Sequence, residues 1–142
     1  MAVRNAEAAW EGSLKEGKGT MRLGSGAWEG PYSFGTRFEE TPGTNPEELI
    51  GAALAGCFSM ALSANLGREG FTATRIATKA RVHLEKGEAG FGVSKIELTT
   101  DAEVPGLDEA KFQQAVEATR TGCPISRALG AVPISVVSTL RG

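Results

Sequence analysis

The chain has 142 residues, of which 41% are apolar and 23% charged, and its formal net charge is −2. These values fit one packed globular domain over residues 1–142 and argue against disorder. There is no block of like charge and no stretch approaching ~20 apolar residues, so neither nucleic acid nor a membrane is expected as a partner.

The first ten residues contain Arg4, Glu7 and no apolar run, so no secretory leader is expected, and the cytoplasm is the expected compartment. Glycines then punctuate short segments at Gly12, at Gly17 and Gly19, and at Gly24 and Gly26, the pattern of strands joined by tight turns. Tyr32 and Phe34 alternate with Ser33, which predicts a further strand leading to Thr36-Arg37-Phe38.

After the turn at Thr41-Pro42-Gly43, Asn45-Pro46-Glu47-Glu48 reads as a helix start. Asn45 can cap, Pro46 suits the first helical position, and Glu48 can close a capping box. The predicted helix runs from there to about Asn65–Gly67. Its middle carries no charge on any face, so it must be surrounded by protein. A chain this short has trouble enclosing it alone, and a second subunit is the economical cover.

Beyond Phe71 the period changes to two. Ile76, Thr78, Ala80, Val82 and Leu84 share one face of a predicted strand; Arg75, Lys79, Arg81, His83 and Glu85 share the other. A hairpin turn follows near Glu85–Gly90. The return strand, from Phe91 to about Val104, slips in phase between Val93 and Ile96, which predicts a bulge. Asp108 caps a second helix with Phe112, Ala115, Val116 and Thr119 on one face. Pro124 opens a third, short helix, and Val132–Leu140 reads as a last strand. The order predicts an α+β fold with mostly antiparallel sheet.

Chemistry rests on the two cysteines, Cys57 and Cys123, 66 residues apart. A permanent disulfide is not expected in a reducing compartment, and one histidine with two cysteines assembles no zinc site. Composition alone favours two inert thiols. Cys57, mid-helix, needs a nearby cation to become thiolate, whereas Cys123 sits at a helix start, where free N–H groups favour the thiolate. His83 reads as solvated, Met21 and Met60 as core, and Trp10 and Trp28 as anchors on a sheet face.

Four segments carry a resemblance: Tyr32-Ser33-Phe34-Gly35-Thr36-Arg37-Phe38; Gly43-Thr44-Asn45-Pro46-Glu47-Glu48-Leu49-Ile50 through Ala55-Gly56-Cys57-Phe58-Ser59-Met60-Ala61-Leu62; Ala89-Gly90-Phe91; and Gly122-Cys123-Pro124-Ile125-Ser126. In this order and spacing the chain closely resembles the osmotically inducible protein C (OsmC) family, more than its sister organic hydroperoxide resistance (Ohr) branch. The resemblance implies an OsmC-like α+β fold, intertwined as a homodimer around central helices, with active sites at the subunit interface. It implies reduction of organic hydroperoxides, and of hydrogen peroxide more weakly. Cys57 would be the peroxidatic cysteine, Cys123 the resolving one, Arg37 the activating cation and Glu47 its orienting carboxylate. No bound cofactor or metal is implied; an external dithiol, for example of lipoyl type, would close the cycle. Phe38, Leu54, Phe58 and Leu62 are expected to form the apolar wall for an alkyl group. The alternatives are a dithiol redox sensor that does not turn over and a protein with inert thiols.

Overall fold

The computed structural model describes residues 1–142. The chain separates into two compact units, Met1–Leu49 and Ile50–Gly142.

In the first unit, β1 (Ala6–Glu11), β2 (Lys18–Leu23) and β3 (Glu29–Tyr32) form an antiparallel sheet in that order. Gly19 pairs with Trp10 on one side and Tyr32 on the other. A Cβ at Gly19 would lie 2.5 Å from the Tyr32 ring and 2.7 Å from the Trp10 ring. Glycine is therefore what lets these rings close to 5.5 Å across β2.

The strand expected at Tyr32 and Phe34, leading to Thr36-Arg37-Phe38, is present as β3 but ends at Tyr32, and Phe34 opens the short helix α1 (Phe34–Phe38). Ser33 and Thr36 make a reciprocal capping box: the Thr36 N–H donates to Ser33 Oγ at 3.2 Å, and the Ser33 N–H donates to Thr36 Oγ1 at 2.9 Å. These two bonds satisfy donors that a strand edge would leave open, and they override the Tyr32/Phe34 alternation.

The long helix α2 (Pro46–Arg68) starts where expected. Asn45 Oδ1 accepts from the Glu48 N–H at 2.8 Å, and Asn45 Nδ2 donates to the Thr36 carbonyl at 2.9 Å, tying the cap to α1. Only half the capping box forms, since Glu48 accepts from the Thr44 hydroxyl. At 23 residues, with a mean hydropathy of 1.7 over its most apolar window, α2 is long and apolar enough to cross a membrane. That departs from the sequence expectation.

In the second unit β4 (Arg75–Gly87) pairs antiparallel with β5 (Gly90–Glu103), and β6 (Ile134–Arg141) runs parallel to β5. The hairpin closes on a two-residue turn between Gly87 and Gly90, and Gly90 takes φ 106°, a conformation that favours glycine. The predicted bulge is present: His83 faces Lys95 and Leu84 faces Val93, so Ser94 is the extra residue. Helix α3 (Glu109–Gly122) is capped by Asp108 and buries Phe112, Val116 and Thr119; the short α4 (Pro124–Ala128) follows.

Leu54, Phe58, Leu62 and Leu66 of α2 pack with Ile96, Leu98 and Ala102 of β5 and with Phe112 of α3, all at most 1% exposed. Each large side chain sealed this way contributes about 1.5–3 kcal/mol. The opposite flank of α2 is open: Ala53, Gly56, Met60 and Ala64 are exposed, and Met60, expected in the core, is 76% exposed. Between helix and sheet a hydroxyl chain runs one way. Ser59 Oγ donates to Thr78 Oγ1 at 2.8 Å, Thr78 meets Thr100 at 2.9 Å, and Thr100 reaches the Ala77 carbonyl.

Candidate active site

Two pairs of expected site residues are brought together, one in each unit. In the first unit Arg37, in the last turn of α1, meets Glu47, in the first turn of α2. Arg37 Nε donates to Glu47 Oε1 and Arg37 Nη2 to Oε2, both at 3.0 Å. This is the two-pronged geometry that a guanidinium makes with a carboxylate and an ammonium cannot. The Glu47 side chain is 11% exposed and Arg37 38%. The pair fixes the direction of the cation while leaving part of the guanidinium open. Arg37 also lies 5.2 Å from the centre of the Phe38 ring.

Beside it is a cavity of about 210 Å³ walled by Trp10, Leu14, Tyr32, Phe34 and Phe38, with Arg37 also lining it. It is a mostly aromatic pocket with one cation, a form suited to a small apolar molecule with a polar end. Three of the four residues expected to wall an alkyl pocket do not do so. Leu54, Phe58 and Leu62 are 0% exposed in the core of the second unit; Phe38 alone lines a cavity. Trp10, read from sequence as a sheet anchor, is part of the wall, because the β1–β2–β3 register sets it beside Tyr32.

In the second unit Cys57, midway along α2, is partly exposed, and Cys123, the N-cap of α4, is 1% exposed. Both thiols are free, and they lie close enough that each acts on the other's proton. Burial pushes the Cys57 thiol above its ordinary value; Cys123 adds to that and a hydrogen bond from the Ile125 backbone opposes it. Burial pushes Cys123 up as well, but hydrogen bonds from the Ser126 hydroxyl, the Ser126 N–H, Cys57 and the Ile125 backbone outweigh it and bring the thiol below the ordinary value. The Ser126 contacts are 3.1 Å from Oγ and 3.4 Å from N, and Ser126 is 5% exposed. Ser126 was not singled out from the sequence. The clue was its place three residues after an N-cap, where side chains and N–H groups turn back onto the cap.

His83 is not simply solvated. Its Nε2 lies 2.6 Å from Glu97 Oε1, and this bond, helped by Lys95 and Arg81, holds the Glu97 carboxyl below its usual range. No three His, Cys, Asp or Glu side chains are grouped to hold a metal ion. Another concavity, of about 460 Å³, lies among Arg75, Lys79, Asp101, Glu103 and Arg141. Its charges oppose one another and it holds no cysteine.

Comparison with known proteins identifies the family. The family model described as OsmC-like protein matches residues 38–137. The chain is 51% identical over 129 residues to Peroxiredoxin OsmC of Escherichia coli K12, covering 90% of each. It is 36% identical over 90 residues to the organic hydroperoxide resistance protein OhrB of Bacillus subtilis, covering 63% of this chain and 65% of that protein. The OhrB crystal structure superposes with a TM-score of 0.69 at 26% identity, covering 96% of this chain and 98% of that one. An OsmC-like protein from Mycoplasma pneumoniae superposes at 0.77 with 16% identity, covering 99% of both chains, which shows the shared fold.

Proposed function

Because the chain belongs to the OsmC-like protein family, we propose that it is a thiol peroxidase that reduces hydroperoxides, organic ones in preference to hydrogen peroxide. The observation that carries this reading is the meeting of the chain's two cysteines, 66 residues apart in sequence, as free thiols that share one environment.

The Cys57 thiolate attacks one peroxide oxygen, the O–O bond breaks, and the alcohol leaves with a proton, so Cys57 becomes a sulfenic acid. The Cys123 thiolate attacks the Cys57 sulfur and expels hydroxide, which leaves as water, and a disulfide forms. An external dithiol, of lipoyl or thioredoxin type, returns both thiols by exchange. Such a cycle suits a reducing cytoplasm, needs no bound cofactor, and has no use for nucleic acid or membrane.

Arg37 is the activating cation and Glu47 its orienting partner. Support for the roles is the two-pronged bond between them and the upward push on Cys57, which needs a cation to offset it. Glu47 and Cys57 are ten residues apart on one unbroken helix, about 15 Å along its axis. An arginine held on Glu47 cannot also serve that cysteine. The protein therefore acts as a homodimer, in which the Arg37–Glu47 pair of one protomer serves Cys57 of its partner. The open flank of α2 around Ala53, Gly56 and Met60 is small and apolar, as a helix covered by a second copy would be.

The test is consumption of cumene hydroperoxide with dihydrolipoamide and with thioredoxin. Cys57→Ser should abolish it. Cys123→Ser should complete one turnover and stall with Cys57 as sulfenic or higher oxides. Equal single-turnover rates for wild type and Cys57→Ser would refute the assignment, and consumption of about one equivalent by the wild type would mark a sensor instead.

A further inference from the structure

The two cysteines differ in access. Cys123 is 1% exposed within a single chain, and joining a partner can only cover it further. Cys57 is partly exposed, and any hydroperoxide must reach its sulfur. They differ also in what holds them. Cys123 Sγ meets two polar groups of one buried residue: the Ser126 N–H, which donates to it at 3.4 Å, and the Ser126 hydroxyl at 3.1 Å, where either group can donate while Cys123 is a thiol and only the hydroxyl once it is a thiolate. Resting on the peroxidase reading above, we infer that the reducing dithiol attacks the Cys57 sulfur of the disulfide, with Ser126 as the positioning residue that receives Cys123 as the leaving thiolate.

Thiol–disulfide exchange is faster when the expelled sulfur is the better-stabilised anion, and it requires the attacked sulfur to be reachable along the S–S axis. Access selects Cys57 as the attacked sulfur, and the two Ser126 groups beside Cys123 favour its expulsion. In the first step a thiolate of the reductant forms a new S–S bond to Cys57, the Cys57–Cys123 bond breaks, and its electron pair stays on Cys123, where the Ser126 O–H and N–H donate to it. In the second step the reductant's other thiol attacks its own sulfur in the mixed disulfide and Cys57 leaves as thiolate. The reductant is oxidised by two electrons to its disulfide, the protein disulfide is reduced by two, and the two protons lost by the dithiol balance those that the protein thiols regain. The lowered proton affinity of Cys123 in the reduced protein agrees with this order.

The experiment begins with protein oxidised by one equivalent of cumene hydroperoxide and checked by mass for the Cys57–Cys123 bond. If no such bond forms, the proposed function fails and this inference fails with it. With the bond in place, a short pulse of the monothiol 2-mercaptoethanol is quenched in acid and the freed thiol is capped with N-ethylmaleimide. Peptide mapping should find mercaptoethanol on Cys57 and the cap on Cys123. Mercaptoethanol on Cys123, or equally on both, overturns the inference while leaving the peroxidase reading intact. In Ser126→Ala, reduction of the preformed disulfide by dihydrolipoamide should slow about fivefold to tenfold, the effect of removing a hydrogen bond to a developing anion. The pH midpoint for capping Cys123 should rise, and Ser126→Thr, which keeps the hydroxyl, should restore both. A Ser126→Ala protein with the wild-type rate and midpoint would overturn the role of Ser126.

Discussion

Mixing two inactive proteins should restore activity. One is Cys57→Ser, which lacks the nucleophile; the other is Glu47→Ala, which frees the Arg37 guanidinium from the two 3.0 Å bonds that aim it. The expected size of the recovery follows from geometry. Ten residues at ~1.5 Å per residue separate Glu47 from Cys57 along α2, so the cation on Glu47 serves the cysteine of the other protomer. In a mixed dimer one site then receives both lesions and the other receives neither. Random reassortment of equal amounts makes about half of the dimers mixed, each with one intact site, so about a quarter of wild-type sites return. The assay is peroxide consumption after the two variants are unfolded together and refolded, compared with the variants refolded separately. If the mixture is no more active than the mean of the two, each site is built within one chain and the reasoning from helix length is wrong.

Three further outcomes follow. In Arg37→Ala the Cys57 thiol stays where burial and Cys123 push it, above its ordinary value. Even an ordinary thiol, at ~8.5, is only about 3% thiolate at pH 7, so peroxide reduction at pH 7 should fall by at least about 30-fold and recover at alkaline pH; an unmoved pH profile would remove Arg37 from the role. Trp10→Ala opens the aromatic cavity beside Arg37 and should raise KM for cumene hydroperoxide by about tenfold while leaving that for hydrogen peroxide within about twofold; equal changes would mean that the cavity does not hold the organic group. Asp101 is held below the usual carboxylate range, first by its hydrogen bond from Arg141 and further by the charges of Arg141 and Arg75. A depressed carboxyl stabilises the fold above its unfolded value of ~3.9 and loses that effect as pH falls through its folded value. Arg141→Ala should therefore melt lower than wild type at pH 7, with the gap closing below about pH 4; a gap that persists in stronger acid would assign the loss to packing.

Local chemistry was legible in the sequence where one signal stood unopposed. Pro46 after Asn45 started α2, and the phase slip after Val93 located the bulge at Ser94. Where two local signals competed, the weaker was read: Tyr32-Ser33-Phe34 alternates like a strand, but the Ser33–Thr36 capping box turns the chain into α1. A uniformly apolar helix also conceals which flank faces the core. Leu54, Phe58 and Leu62 could have lined a pocket on composition, and only the packing of β5 and α3 shows that they do not, just as it shows Met60 to be outside. The Arg37–Glu47 pairing came through the family resemblance, since ten residues of separation across a turn do not predict a two-pronged bond. The aromatic cavity depends on strand register, which the spacing of glycines did not specify.

The hydroxyl chain from Ser59 through Thr78 to Thr100 limits how this protein can drift. Each link donates to the next, so replacing Thr78 or Thr100 by an apolar residue of the same shape strands the donor before it, at about 1–3 kcal/mol. Replacing neighbours together removes the unmet donor along with its acceptor and is close to neutral. Three positions on three different elements are thereby bound into one heritable unit, to be exchanged jointly or retained. A designer who replaced Thr78 or Thr100 alone would find that step downhill, although the paired change of Ser59 with Thr78 is not.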